Sequence, residues 1–194
     1  MKRLTTSAQA KRAISILNRL THTKGPFAGQ TFNLRPWQQR IVKQIFTTRA
    51  DGKRQYRTVL LMLPRKNGKS ELAAALAIYF LLFDGEMGGE VYSAATDRDQ
   101  AALVFNAAAG MIRNAPELLN VVDIVDSQKR IVHRRSGSVY RAISAEAYSK
   151  HGFNASTVIY DELHAAEPRS VGRAGHVAGS PRSAADDGDH HGGL

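Results

Sequence analysis

Residues 58–70 limit the fold more than any other part of the sequence. Thr58 to Leu63 is a short, wholly apolar, β-rich run that ends at Pro64, and Pro64-Arg65-Lys66-Asn67-Gly68-Lys69-Ser70 then leads straight into the long apolar stretch Leu72 to Phe83. An uninterrupted apolar run of strand length is expected to be a buried parallel strand, and Lys69 to Phe83 is expected to be a helix. A strand, a glycine-containing loop and a helix in that order form a cradle for phosphate. Backbone N–H groups and the positive helix end face the anion, a lysine neutralises the β and γ phosphates, and a hydroxyl ligates Mg²⁺. Lys69 and Ser70 occupy those last two places, and Arg65, Lys66, Asn67 and Gly68 form the loop. Leu63 stands where G-x-x-x-x-G-K-[ST] has its first glycine, and a plain turn capping a helix has the same Gly-Lys-Ser sequence. The strand–loop–helix setting favours the phosphate site.

A second segment completes the chemistry. Val158-Ile159-Tyr160-Asp161-Glu162 is an apolar strand ending in two carboxylates, with Asp161 92 residues beyond Lys69. Asp161 is expected to bind the metal ion, directly or through water, and Glu162 to polarise the attacking water as general base. His164 is either a sensor of the γ-phosphate or a structural histidine. Upstream, Phe32-Asn33-Leu34-Arg35-Pro36-Trp37-Gln38 offers an amide, Gln38, that can pair with the edge of adenine, with Trp37 packing nearby. Pro-Trp at a helix start is also a common core anchor. Ahead of a phosphate loop, the segment favours ATP over GTP.

Elsewhere apolar segments alternate with polar turns. Helical spacing covers Ala8 to Leu20, and a second helix begins after Arg35-Pro36, since proline suits a first helical position. Glu90 to Thr96 is a candidate strand, and Asp97 to Ile112 an Ala-rich helix that stops before Asn114-Ala115-Pro116. Two or three strands follow, around Arg130 to His133 and Ser138 to Ala145, and Thr157 to Tyr160 is the last. The fold class expected is α/β: P-loop NTPase-like, a largely parallel central sheet flanked by helices and incomplete at the C-terminus.

Charge adds a partner. Residues 1–166 hold 24 Lys and Arg against 13 Asp and Glu, an excess that makes a polyanion the first partner to consider. There is no cysteine, so disulfides, thiolate metal sites and cysteine nucleophiles are excluded. Leu72 to Phe83 is too short to cross a bilayer and Met1 to Thr6 has no signal-peptide core, so no membrane role is expected. Residues 167–194 contain no Ile, Phe, Met, Trp or Tyr but six of the 16 glycines, and are read as a disordered tail.

Together, Leu34-Arg35-Pro36-Trp37-Gln38, Pro64 to Ser70, Tyr92-Ser93-Ala94-Ala95-Thr96-Asp97-Arg98-Asp99-Gln100-Ala101 and Tyr160-Asp161-Glu162-Leu163-His164-Ala165 resemble the large terminase subunit of tailed phages over roughly residues 20 to 166. In that family an N-terminal ATPase domain drives DNA into a procapsid and a C-terminal nuclease domain cuts it. The resemblance implies ATP and Mg²⁺ as cofactors. It also implies double-stranded DNA, a small terminase subunit and a portal or procapsid as partners, a homo-oligomeric ring, and the bacterial cytoplasm as location. Arg65 matches the arginine that the family's phosphate loop carries three residues before its glycine, which implies ATP contact and a catalytic role beside Lys69 and Glu162. Ser93 to Thr96 faces either DNA or the nucleotide cleft, or is a strand-to-helix turn capped by Thr96 or Asp97. Tyr148 to Gly152 is a polar loop, either solvated or gripping backbone phosphate.

The match implies a partial ATPase domain at residues 1–166, without the nuclease domain or the coupling strand after Asp161-Glu162. Back-translated with suitable wobble bases and read one nucleotide later, residues 169–194 can give a continuation with a Thr-Thr-Ala-Gly coupling segment, so the tail is read as frameshifted. A helicase-like DNA translocase and a non-catalytic nucleotide-binding remnant are the alternative functions. The Arg65 loop and Tyr160 to His164 favour terminase.

Overall fold

The computed structural model describes residues 8–64, 67–144, 146–147 and 154–161. Arg65, Lys66, Glu162, His164, the Tyr148 to Gly152 loop and the whole tail lie outside them. Helices α1 (Ala8–Leu17) and α2 (Pro36–Ile45) are amphipathic: Ala10, Ala13, Leu17 and Val42 face inward, while Lys11, Arg12, Arg40 and Lys43 are exposed. Helix α3 (Lys69–Leu82) is apolar on every side, and such a helix is stable only when enclosed. It buries Leu72, Ala74, Ala75, Ala77, Ile78, Tyr79 and Leu81, packed between α1, α4 (Arg98–Arg113) and the sheet.

The sheet has five strands: β1 (Glu90–Ala95), β2 (Val122–Val125), β3 (Arg130–His133), β4 (Val139–Ser144) and β5 (Thr157–Tyr160). Their spatial order is β2-β3-β4-β1-β5. β1 pairs in parallel with β4 on one side and β5 on the other, whereas β2–β3 and β3–β4 are antiparallel. The parallel part brings the carboxyl ends of β4, β1 and β5 to a single edge, the one at which Asp161 follows β5. Ala95 lies opposite Ser144, and Ala94 opposite Tyr160. Val91 to Ala95 are all buried, as a central parallel strand requires. A short helix, α5 (Pro116–Leu119), links α4 to β2.

The two faces of β1 differ. Val91 and Ala95 join the main core with α3, α4 and Tyr140, while Tyr92 and Ala94 form a smaller cluster with Ile143 and Ala155. Tyr140 is fully buried and donates a 2.9 Å hydrogen bond to Ser93 Oγ. Burial pushes its phenol pKa well up. Among the described residues no helix is long and apolar enough to cross a membrane.

Thr58 to Leu63 departs from expectation. It is not a buried strand: no strand is assigned there, and Leu60 and Met62 are 67% and 84% exposed. A strand exists only through its ladder partner, and composition cannot supply one. The sheet ends at β5 on that side, and β5 is half-buried along its whole length. Among the described residues nothing pairs with its outer edge, and the apolar run lies outside the sheet.

Candidate phosphate-binding site

The loop before α3 is shaped by two residues. Gly68, the N-cap of α3, has φ of 71° in the left-handed region that favours glycine. A Cβ built there would meet nothing within 4 Å, so its backbone, not crowding, is the reason for glycine. Asn67 Nδ2 donates to Pro64 O at 3.2 Å and closes the turn. Gly68, as N-cap, makes no side-chain cap to α3. The leading N–H groups of the helix, together with its dipole, suit an anion.

Lys69 and Ser70 open α3, both half-buried. Asp161 follows directly on β5 and is held by its own backbone: its N–H donates to Ala94 O at 3.0 Å. From there its carboxylate reaches the loop. Ser70 Oγ donates to Asp161 Oδ2 at 2.9 Å, across 91 residues of sequence. The hydroxyl and the carboxylate expected to share a metal ion are thus adjacent. A hydroxyl and a carboxylate oxygen are hard donors that suit Mg²⁺, which takes few protein ligands and leaves the rest to water and phosphate oxygens. No cluster of three or more His, Asp or Glu capable of holding a metal by itself occurs among the described residues.

Gln38 lies in the first turn of α2, 6% exposed, with its Oε1 accepting the Arg35 N–H at 2.8 Å. Its carbonyl oxygen secures the helix start, and Trp37 beside it is half-buried. Ser93 does not face a cleft. It is fully buried, receiving the Tyr140 hydroxyl and donating to Ala101 O at 3.3 Å. The turn after β1 is capped as one reading of Ser93 to Thr96 expected: Asp97 Oδ1 accepts the Gln100 N–H at 2.8 Å, while Thr96 is exposed.

One contact behind the loop has no signal in the sequence. His22 Nδ1 and Glu71 Oε2 are hydrogen-bonded at 2.8 Å, tying the turn after α1 to the residue next to Ser70. His22 also stacks edge-on to Phe32, ring centroids 4.9 Å apart. The partners are 49 residues apart, and neither sits in a recognisable motif.

Comparisons with known proteins agree on one family. Residues 36–173 match the family model described as terminase large subunit, ATPase domain. The large terminase subunit of Enterobacteria phage HK97 is 30% identical over 156 residues, 79% of this chain and 30% of that protein. That of Lactococcus phage p2 is 26% identical over 113 residues, 55% of this chain and 20% of that protein. The crystal structure of the HK97 bacteriophage large terminase aligns with a TM-score of 0.70 at 28% identity, covering 81% of this chain and 32% of that one. The chain spans less than a third of the length of these relatives.

Proposed function

Because the chain belongs to the terminase large subunit ATPase-domain family, we propose that it is the ATPase portion of a phage DNA-packaging motor, in which ATP hydrolysis is coupled to movement of double-stranded DNA into a procapsid. The observation that carries this reading is the Ser70–Asp161 hydrogen bond at the junction of α3 and β5. It brings together Ser70 and Asp161, the residues read as the two halves of a phosphate site, within the region that the family model matches.

In this reading the N-terminal N–H groups of α3 and the Lys69 ammonium hold the β and γ phosphates, and Arg65 adds a second cation. Ser70 and Asp161 would hold Mg²⁺, which when bound offsets charge on the phosphate oxygens. Glu162, the next residue after Asp161, takes the proton of the water that attacks the γ-phosphorus. Gln38 and Trp37 lie on the adenine side. Lys69 and Arg65 act chiefly on charge that grows in the transition state, so they contribute to rate as well as affinity.

The partners proposed with this activity are duplex DNA, a small terminase subunit, a portal or procapsid, and further copies of the chain in a ring. Steady-state ATPase measurements with and without duplex DNA and procapsid–portal complexes test it. Hydrolysis that needs Mg²⁺ and rises with those partners supports the motor. Nucleotide binding with no turnover under any condition would favour a non-catalytic remnant.

A further inference from the structure

A pocket of about 490 Å³ opens at the carboxyl end of β4, lined by Arg98, Ser127, Gln128, Arg141, Ile143 and Ser144 among others. Its place in the sheet separates it from the phosphate loop. Ser144 pairs with Ala95 at the end of β1, and Ala94 pairs with Tyr160, one residue before Asp161. Two interstrand spacings of about 4.8 Å put it on the same sheet edge as Asp161 but roughly 10 Å away.

Its electrostatics are one-sided. Arg141 lies directly opposite Arg130 in the antiparallel register of β3 and β4, and like charges in that position cost stability. Among the described residues no ion pair engages Arg98, Arg130 or Arg141, and Arg130 Nε is buried with no hydrogen-bond partner. Of the nearby carboxylates, Asp97 caps α4 and Asp126 is held by Arg113 at 2.5 Å. Among the described residues this like-charged pair has no ion-pair partner, which favours an anion from outside.

The lining also indicates which anion. Arginine, serine and glutamine are side chains that meet backbone phosphate oxygens. None of the lining residues is aromatic, so among the described residues the pocket offers no platform for stacking a base. Arg98, Ser127 and Gln128 are exposed, which leaves the pocket open to a macromolecule. We propose that this pocket seats a backbone phosphate of duplex DNA, with Arg98 and Arg141 as its charge partners and Arg130 reinforcing Arg141. The proposal rests on the reading of the chain as part of a DNA-packaging motor. Nucleotide and DNA then occupy a single sheet edge, two strands apart.

The test uses the full chain, a short fluorescent DNA duplex and anisotropy titrations over a range of KCl, on wild type, Arg98→Gln, Arg141→Gln and Arg141→Lys. ATP affinity is measured on the same preparations. Each Gln variant should bind DNA roughly ten-fold more weakly, and the slope of log K against log salt should fall by about 1. Arg141→Lys should keep the slope, and ATP affinity should not change in any variant. Arg98 is exposed at a helix start, so its replacement leaves the fold intact even if Arg141→Gln does not. Unchanged DNA affinity and slope in Arg98→Gln overturn the proposal, as does a wild-type chain that ignores duplex DNA. Loss of ATP affinity in Arg98→Gln overturns it in favour of a nucleotide contact. A wild type that binds DNA in this manner but never ATP sinks the ATPase reading and leaves the pocket standing.

Discussion

Ser70 Oγ donates a 2.9 Å hydrogen bond to Asp161 Oδ2, so the first turn of α3 and the end of β5 meet at a hydroxyl and a carboxylate. Nothing local brings them together. The parallel pairing of β5 with β1 sets the depth of Asp161, and the packing of α3 against the sheet sets that of Ser70.

Removing the hydroxyl should therefore weaken the metal-dependent part of nucleotide binding alone. Ser70→Ala is expected to lower affinity for ATP with Mg²⁺ about ten-fold, on the order of 1.4 kcal/mol, while affinity for ATP in EDTA stays near wild type. Calorimetric titrations in the two buffers check this. Equal losses in both would mean that Ser70 only shapes the loop.

Glu162→Gln keeps the side chain's shape and removes its basicity. The expected variant binds ATP as wild type does and hydrolyses it at least a hundred-fold more slowly, the usual range for loss of a general base. Single-turnover hydrolysis measures the step directly. Equal rates in the two proteins would exclude the role.

Asp84 gives a pH signature unrelated to nucleotide. It accepts a hydrogen bond from Arg54, whose guanidinium lies over Phe46 and Phe80. Burial nonetheless outweighs the Arg54 charge and holds the carboxyl above its ordinary value of 3.8. A raised folded pKa means that the native state binds this proton more tightly than the unfolded chain does. The stabilisation is complete below pH 3.8 and fades as pH rises through the folded value. The stability of wild type relative to Asp84→Asn should accordingly fall as pH rises above 3.8. Urea unfolding of both proteins across that window checks it, and a difference that grew with pH would show that the Arg54 charge dominates.

The buried Tyr140–Ser93 pair predicts a stability effect. Tyr140→Phe removes the donor to Ser93 Oγ, a fully buried group, and should cost about 1 kcal/mol. Denaturant midpoints compare the two proteins. An unchanged midpoint would mean that the hydroxyls gain nothing from each other.

What could be read from the sequence follows from how local each signal is. α2, α3, β1 and β5 were legible because proline, a helical apolar stretch or a β-branched run marks them in place. The turn at Gly68 and the start of α3 at Lys69 were legible because glycine, lysine and serine are consecutive there. Thr58 to Leu63 misled because apolar composition signals burial without saying what will pair with it. The burial of Ser93 was not legible because its partner, Tyr140, is 47 residues away. The His22–Glu71 contact and the Arg130–Arg141 register depend on packing between distant segments, which no single stretch of sequence encodes.

The central claim is that Lys69, Ser70 and Asp161 form a Mg²⁺-dependent ATP site. Its most direct measurement is equilibrium titration of ATP, with and without Mg²⁺, into wild type, Lys69→Ala and Asp161→Ala proteins shown to be folded by circular dichroism. Wild type should bind ATP more tightly with Mg²⁺. Lys69→Ala should lose affinity in both buffers, because it removes a charge that meets the phosphates, and Asp161→Ala should lose only the gain that Mg²⁺ provides. Wild-type affinity in folded Lys69→Ala, or a full Mg²⁺ gain in Asp161→Ala, would contradict the account.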